Sequence, residues 1–169
     1  NVDMPINLDV LKKINNFVKK EFKGKIDVFC KGLGAASEFP QCYLNVDRNK
    51  EKERIINKSL NEIKVYLKYL KPKIYFPAGG TYTIYGKFSN LNKFIAQPSF
   101  LQIKDKLSLL NTKISNIIGG GSITYLKSKY VINQQTEKNN KDFDKNFINE
   151  TKKLNYYYYK KLEKVNLKK

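Results

Sequence analysis

The sequence contains few side chains that can carry out acid–base, nucleophilic or metal chemistry. Its 169 residues include no histidine and two cysteines, Cys30 and Cys42. A Ser–His pair, a Cys–His pair and a three-histidine zinc site are therefore excluded within this sequence. Two thiols are also too few for a disulfide framework or an all-cysteine zinc site, which favours a reducing cytoplasm. Cys42 would be a nucleophile only if its surroundings lowered its pKa, and we expect a buried, unreactive thiol instead.

Four acidic residues beside the ends of predicted elements are the remaining candidates for polar chemistry. Asp3 and Glu38 are the preferred candidates for a polar site. Asp47 is better explained as the N-cap of a long helix, because a side-chain carboxylate there accepts hydrogen bonds from unpaired backbone N–H groups. Asp27 is better explained as a residue at the edge of a strand.

A first loop, residues 32–43, follows a predicted buried strand and is rich in small residues. In open α/β sheets, binding sites form beyond the carboxyl ends of the strands, where small residues let the backbone approach a ligand. The loop does not match a dinucleotide fingerprint well, because Ser37 occupies the third glycine position and Pro40 interrupts the expected helix. The same residues are equally consistent with a tight turn packed under the sheet.

A second loop, residues 78–87, follows the next predicted strand. It lacks the Gly-Lys-Ser/Thr ending of a phosphate-binding loop. Its hydroxyl side chains, Thr81, Tyr82 and Tyr85, can hydrogen-bond a ligand or can satisfy the backbone of their own loop.

The elements that position these loops alternate between helix and strand over the first 77 residues. Asn7 predicts the cap of a first helix, which ends at Gly24. Residues 26–30 and 73–77 predict two buried strands. Between them a long helix follows Asp47, with apolar residues at helical spacing: Ile56, Leu60, Ile63, Leu67 and Leu70. This alternation predicts an α/β layered fold.

The rest of the chain gives weaker patterns. A short helix is predicted over 89–95, and two strands over 114–118 and 122–126, on either side of a glycine turn. From Asp142 onward, apolar residues at helical spacing predict a C-terminal helix. We expect residues 1–126 to form the main unit and residues 127–169 to form an extension that ends in this helix.

The chain is strongly basic, with 33 Lys and Arg residues against 15 Asp and Glu residues. Such charge is typical of proteins that bind nucleic acid or acidic membrane surfaces, but AT-rich coding also produces lysine-rich composition. Only Arg48 and Arg54 are arginines, and scarce arginine disfavours specific base recognition. No apolar run reaches the ~18–20 residues of a membrane-spanning helix, and no signal peptide is evident. Because the chain begins at Asn1, we expect it to be processed or part of a longer protein.

Two stretches together resemble a known family. They are Gly34-Ala35-Ala36-Ser37-Glu38-Phe39-Pro40-Gln41-Cys42-Tyr43 and Leu70-Lys71-Pro72-Lys73-Ile74-Tyr75-Phe76-Pro77-Ala78-Gly79-Gly80-Thr81-Tyr82-Thr83. They are similar to the C-terminal half of metallo-β-lactamase-fold proteins, in the lactonase-like group that includes the hydrolase-like part of CMP-N-acetylneuraminate hydroxylase. The opening Asn1-Val2-Asp3 is similar to a family element that carries a metal-ligand aspartate.

This resemblance implies a four-layer αββα sandwich, of which the chain supplies mainly the second half, with a C-terminal hairpin and helix. It implies metal-dependent hydrolysis of a small metabolite, in which zinc or iron lowers the pKa of bound water. Asp3 is the residue that it assigns to the metal. It also assigns the following residues to the substrate pocket: Gly34, Ser37, Glu38, Gln41, Gly79, Gly80, Thr81 and Tyr82.

The family's His-x-His-x-Asp-His metal motif is absent from this sequence. We therefore expect the divalent metal to be bound by a longer parent protein, and not by this chain alone. Three hypotheses remain open. The chain is a fragment of a hydrolase, a scaffold that docks with a separate N-terminal half or with a second copy, or a non-catalytic, lysine-rich module for RNA or an acidic membrane.

Overall fold

A three-stranded parallel sheet with helices packed on it organises the described part of the chain. The computed structural model describes residues 7–33, 37–78, 82–84, 86–117, 121–126 and 129–133. Its elements in chain order are α1 (Leu8–Phe22), β1 (Val28–Gly32), α2 (Arg48–Leu70), β2 (Ile74–Ala78), a 3₁₀ helix (Gly86–Phe94), α3 (Phe100–Leu107), β3 (Lys113–Ile114), β4 (Ser122–Leu126) and β5 (Lys129–Asn133). The described fold is therefore mixed α/β, as the helix–strand alternation predicts.

The sheet has the strand order β1-β2-β3, and all three strands are parallel. Val28 of β1 pairs with Ile74 of β2, and Tyr75 of β2 pairs with Ile114 of β3. Helices occupy both crossover connections, because parallel strands cannot be joined by a tight turn. The strands β4 and β5 form a separate antiparallel hairpin.

Both predicted N-caps are confirmed. Asn7 Oδ1 accepts hydrogen bonds from the N–H groups of Asp9 and Val10, at 2.9 and 3.2 Å. Asp47 Oδ1 accepts a hydrogen bond from Lys50 N–H at 3.1 Å. These bonds satisfy backbone donors that have no partner within the first helical turn. Among the described helices, none combines the length and apolarity needed to cross a bilayer.

The core lies between α2, α3 and one face of the parallel sheet. The predicted apolar face of α2 is confirmed, since its buried residues are Ile56, Leu60, Ile63, Leu67 and Leu70. On the sheet, Phe29 stacks on Tyr66 of α2 at 5.9 Å between ring centroids, and Tyr75 is fully buried. Each fully buried apolar side chain contributes roughly 1.5–3 kcal/mol, so this layer supplies most of the apolar stabilisation of the described fold.

We expect a glycine at the end of α2 to stabilise the protein. Lys71 ends this helix in the left-handed conformation, at φ 45°, with its N–H donating to the Leu67 carbonyl at 2.9 Å. A Cβ is disfavoured in that conformation and glycine is not, so Lys71→Gly should raise the free energy of unfolding by about 0.5–1 kcal/mol. Lys68→Gly, one turn earlier, should lower it by about 1 kcal/mol. Urea denaturation measures both, and two changes of the same sign would contradict the assignment.

The predicted pairing of residues 114–118 with residues 122–126 is wrong. The strand β3 contains only Lys113 and Ile114, and it extends the parallel sheet beside β2. A hairpin is present, but it pairs β4 with β5. The glycine run indicates a turn locally, whereas the edge of β2 provides a long-range partner that local pattern cannot reveal.

Two helical segments also differ from the prediction. Residues 89–94 belong to a 3₁₀ helix that begins three residues earlier, at Gly86, and the helix ends one residue before Ile95. The helix α3 was not predicted, although Ser99 and Gln102 form a capping box in which each side chain binds the other residue's backbone N–H. The predicted C-terminal helix from Asp142 lies outside the described residues.

Candidate functional site

The two candidate loops begin at the same edge of the sheet. Because β1 and β2 are parallel neighbours, with Gly32 paired to Ala78, their carboxyl ends lie side by side. The chain that follows each end leads into one of the two predicted loops. This edge is the position at which open α/β sheets place their ligands.

A hydrogen-bonded cluster centred on the buried side chain of Gln41 joins these loops. The side-chain amide of Gln41 donates to the Ser37 carbonyl at 2.5 Å and also to the phenol oxygen of Tyr82. The Tyr82 hydroxyl in turn donates to the same Ser37 carbonyl. Three of the residues predicted for the pocket are thus brought together, although 45 positions separate Ser37 from Tyr82. We name Ser37, Gln41 and Tyr82 the loop cluster.

The carbonyl oxygen of the Gln41 side chain is the buried atom of the loop cluster whose hydrogen bonding is incomplete among the described residues. Gln41 is 0% exposed, and its Oε1 has no hydrogen-bond partner among the described residues. A buried acceptor without a partner costs roughly 1–3 kcal/mol, so such atoms occur where a ligand or an ordered water is bound. Oε1 therefore keeps an unused capacity to accept a hydrogen bond among the described residues.

The local structure of residues 37–43 turns Gln41 toward the interior. Ser37 Oγ accepts a hydrogen bond from Phe39 N–H at 3.0 Å, and Cys42 N–H donates to the Glu38 carbonyl at 2.9 Å. The Phe39–Pro40 peptide is cis, and Pro40 is buried. This compact turn replaces the helix that a dinucleotide-binding loop would require.

Burial raises the pKa of the Tyr82 phenol, and the negative charges that Cys42 and Glu38 can carry raise it further. The hydrogen bond from Gln41 acts in the opposite direction. The hydroxyl therefore stays protonated near neutral pH. Tyr82 offers a neutral O–H group at this site and is not suited to act as a general base.

The 3₁₀ helix holds the second loop through a residue that sequence reasoning missed. Asn92 accepts a hydrogen bond from Ile84 N–H and donates to the Ile84 carbonyl, both at 2.7 Å. This paired contact fixes the backbone directly after the loop cluster. No local pattern marks Asn92, because its role depends on how the 3₁₀ helix folds back on the loop.

Among the other predicted site residues, only Glu38 belongs to the described part of the chain. Glu38 is exposed on the first loop. The remaining ones lie outside the described residues: Asp3, Gly34, Gly79, Gly80 and Thr81.

Both cysteines are exposed, so the expectation of a buried Cys42 is wrong. The compact turn that buries Gln41 directs the next residue outward. Burial of part of the Cys30 side chain raises the pKa of that thiol, which keeps it largely protonated.

The described residues do not fit the metal centre that the resemblance implies. Within this part of the chain, no group of three or more Cys, Asp or Glu side chains is placed to hold a metal ion. The loop cluster itself consists of amide, phenol and backbone carbonyl groups, which bind organic ligands more readily than zinc.

An ion pair lies at the opposite, amino edge of the sheet. Lys73 Nζ is 2.8 Å from Asp27 Oδ1, and its charge lies 5.2 Å from the centre of the Tyr130 ring in the hairpin. The hydrogen bond from Lys73 holds the pKa of the Asp27 carboxyl below its usual range, with a smaller effect from Tyr130. The pair links the hairpin to the sheet.

This pair should make stability depend on pH. Because the folded-state pKa of Asp27 is lowered, its stabilisation is complete above the ordinary carboxyl pKa and is lost as pH falls through the lowered value. We expect Asp27→Asn to be modestly less stable than the parent near neutral pH and to match it in strong acid. Denaturation at a series of pH values measures this. Lys73→Gln should remove the same pH dependence, and an unchanged dependence in either variant would contradict the pairing.

Comparisons of the whole sequence with protein-family models, curated proteins and solved structures give no match.

Proposed function

We propose that this chain forms the substrate-binding half of a metallo-β-lactamase-fold, metal-dependent hydrolase that acts on a small metabolite. The observation that carries the proposal is the loop cluster. It joins the two loops that the family resemblance assigns to the pocket, at the carboxyl edge of a parallel sheet.

The loop cluster supplies binding and orientation in this proposal. Gln41 Oε1 accepts a hydrogen bond from the ligand, and the rest of its amide is fixed by Ser37 and Tyr82. A pre-positioned, buried acceptor discriminates strongly against ligands without a matching donor, because it would then remain unpaired. A hydroxyl-bearing or amine-bearing metabolite fits this requirement.

The second face of the sheet supports an αββα arrangement. Phe29 faces α2, so Val28 and Cys30, which alternate with it, lie on the opposite face, and both are exposed. Parallel sheets are normally covered on both faces. The hairpin covers part of this face, where its Ile123 and Tyr130 line a groove with Val28. In the proposed sandwich, the N-terminal half of the parent protein covers the rest.

In this proposal Asp3 is the one metal ligand that this chain supplies, and the other ligands come from the rest of the parent protein. The test is the zinc and iron content of the complete natural gene product, measured by plasma mass spectrometry. Asp3→Ala should lower the metal content, whereas the control Asp9→Ala, on the exposed first turn of α1, should not. Equal metal content in the parent and Asp3→Ala would remove Asp3 from the site.

The pocket is tested by hydrolysis of γ-butyrolactone and phenyl acetate by the same gene product. We expect Tyr82→Phe to raise KM about five- to tenfold, because the Tyr82 hydroxyl no longer donates to the Ser37 carbonyl or accepts from the Gln41 amide. Tyr43→Phe is the matched control, since Tyr43 is exposed at the end of the first loop and lies outside the loop cluster. No hydrolysis of either compound by metal-loaded protein, or equal kinetics in the two variants, would contradict the proposal.

A further inference from the structure

The helix α1 leaves most of its apolar side chains outside the core. Leu11 is its one buried residue among those described. Phe17 and Phe22 are each 58% exposed, and Ile14 is 41% exposed. The two phenyl rings touch edge to face, with their centroids 5.9 Å apart, so they form one continuous surface. We name Ile14, Phe17 and Phe22 the α1 patch.

The segment that contains the α1 patch is rich in exposed lysines. Residues 8–25 contain two acidic residues, Asp9 and Glu21, and each already lies 3.5 Å from a lysine Nζ. The lysines of this segment are Lys12, Lys13, Lys19, Lys20, Lys23 and Lys25, and all are exposed. The segment therefore combines exposed aromatic groups with a net positive charge.

We propose that α1 docks this protein onto a membrane surface that contains acidic phospholipids. Helices with Phe and Leu on one side and Lys on the other lie in the interface, with apolar side chains among the acyl chains and lysines at the headgroups. Leu11 holds α1 on the protein, while the α1 patch enters the bilayer. The proposal is independent of the proposed hydrolase function.

Charge complementarity favours lipid over the other partners of this surface. A second copy docked through α1 would bring two positively charged helices together, which opposes association. A nucleic acid would satisfy the lysines and can stack its bases on exposed aromatic rings, but it would not bury the aliphatic Ile14. An acidic bilayer surface attracts the lysines through its headgroups and buries the apolar side chains among its acyl chains.

Tryptophan fluorescence tests the insertion directly, because the sequence contains no tryptophan. In Phe17→Trp, the emission should shift to the blue with phosphatidylcholine vesicles that contain about 30% phosphatidylserine, and brominated acyl chains should quench it. Leu109→Trp is the control, since Leu109 is 92% exposed in a turn outside α1. An unchanged spectrum for Phe17→Trp, or equal quenching of the two variants, would overturn the proposal.

Vesicle co-sedimentation measures the energetic contribution of the α1 patch. Phe17→Ser with Phe22→Ser should weaken binding about tenfold or more, through lost apolar burial. Lys13→Gln with Lys20→Gln should weaken it by a similar factor. Lys104→Gln with Lys106→Gln on α3 removes the same charge elsewhere and should have little effect.

Equal weakening by both lysine pairs would overturn the proposal, because binding would then depend on net charge alone. It would also be overturned if the phenylalanine variant dissociated a dimer in size-exclusion chromatography, or if an RNA oligonucleotide bound with the same dependence on both phenylalanines. Circular dichroism establishes that each variant folds. If the serine variant fails to fold, the fluorescence of Phe17→Trp still decides the question.

Discussion

Replacing Tyr75 by alanine should lower the free energy of unfolding by about 3–5 kcal/mol, the cost of removing a large aromatic side chain from a close-packed core. Tyr75 lies on the central strand β2 and is 0% exposed. Its ring centroid lies 5.9 Å from that of Phe29, and its hydroxyl donates to the Lys31 carbonyl at 3.2 Å. The substitution therefore creates a cavity between the sheet and α2 and removes a link between β1 and β2. Guanidinium denaturation of the whole chain measures the change.

Two further variants separate the contribution of the Tyr75 hydrogen bond from that of its buried ring and provide a control outside the core. Tyr75→Phe keeps the ring and removes the hydrogen bond, so we expect a loss of about 1 kcal/mol. Tyr43→Ala removes an exposed ring outside the core and should change stability by less than about 0.5 kcal/mol. If Tyr75→Ala cost no more than Tyr43→Ala, the central position of β2 in the core would be wrong.

Replacing Gln41 by glutamate should destabilise the protein by several kcal/mol near neutral pH and by much less near pH 4. Gln41 is fully buried, and the negative charge of Glu38 already acts on Tyr82, its hydrogen-bond partner. Burial disfavours the charged carboxylate, so its folded-state pKa rises above the ordinary value of about 4.3. The free-energy cost of burying the carboxylate charge is therefore absent well below the ordinary pKa, where the side chain is neutral in both states. It grows by about 1.4 kcal/mol for each pH unit between the ordinary pKa and the raised pKa, and it is constant above the raised pKa.

The measurement is the difference in unfolding free energy between parent and variant from pH 4 to pH 7. Gln41→Leu is the matched control, because it removes the same hydrogen bonds without adding a charge, so its cost should not change with pH. Glu38→Gln alters an exposed neighbour and should have a small effect. A pH-independent cost for Gln41→Glu would mean that a cation or solvent reaches Oε1, and the loop cluster would not be a buried site.

The parts of the fold that sequence predicted correctly are those that depend on neighbouring residues. The caps at Asn7 and Asp47 bind N–H groups two or three positions away. The apolar stripe of α2 repeats every three or four residues, so its buried face follows from the helical period alone. The capping box at Ser99 is equally local. The sequence therefore contained the information needed to predict the start of α3, although the prediction did not include this helix.

The loop cluster was predicted only in part from the sequence. The two loops were identified by their small residues and by their positions after strands predicted to be buried. That prediction is wrong for β1, where Val28 and Cys30 are exposed because they lie on the face of the sheet opposite to α2. The bonds that join Gln41 and Tyr82 exist because β1 and β2 are adjacent and parallel, which is a property of the sheet. The pairing of β3 with β2 depends on the same long-range packing, so no local pattern could reveal it. The role of Asn92 depends on how the 3₁₀ helix folds back on residues eight positions earlier.

The sequence by itself determined the charge of this protein, the helix caps, the period of each apolar face and the alternation that makes the fold α/β. These properties arise from residue type and from interactions within a few positions. Tertiary structure alone decided which apolar faces are covered. Leu11 and Phe17 both belong to the apolar repeat of α1, yet Leu11 is buried and Phe17 is exposed. The helical period decides which residues share a face, but burial requires another element to pack against that face, and such elements come from distant parts of the chain.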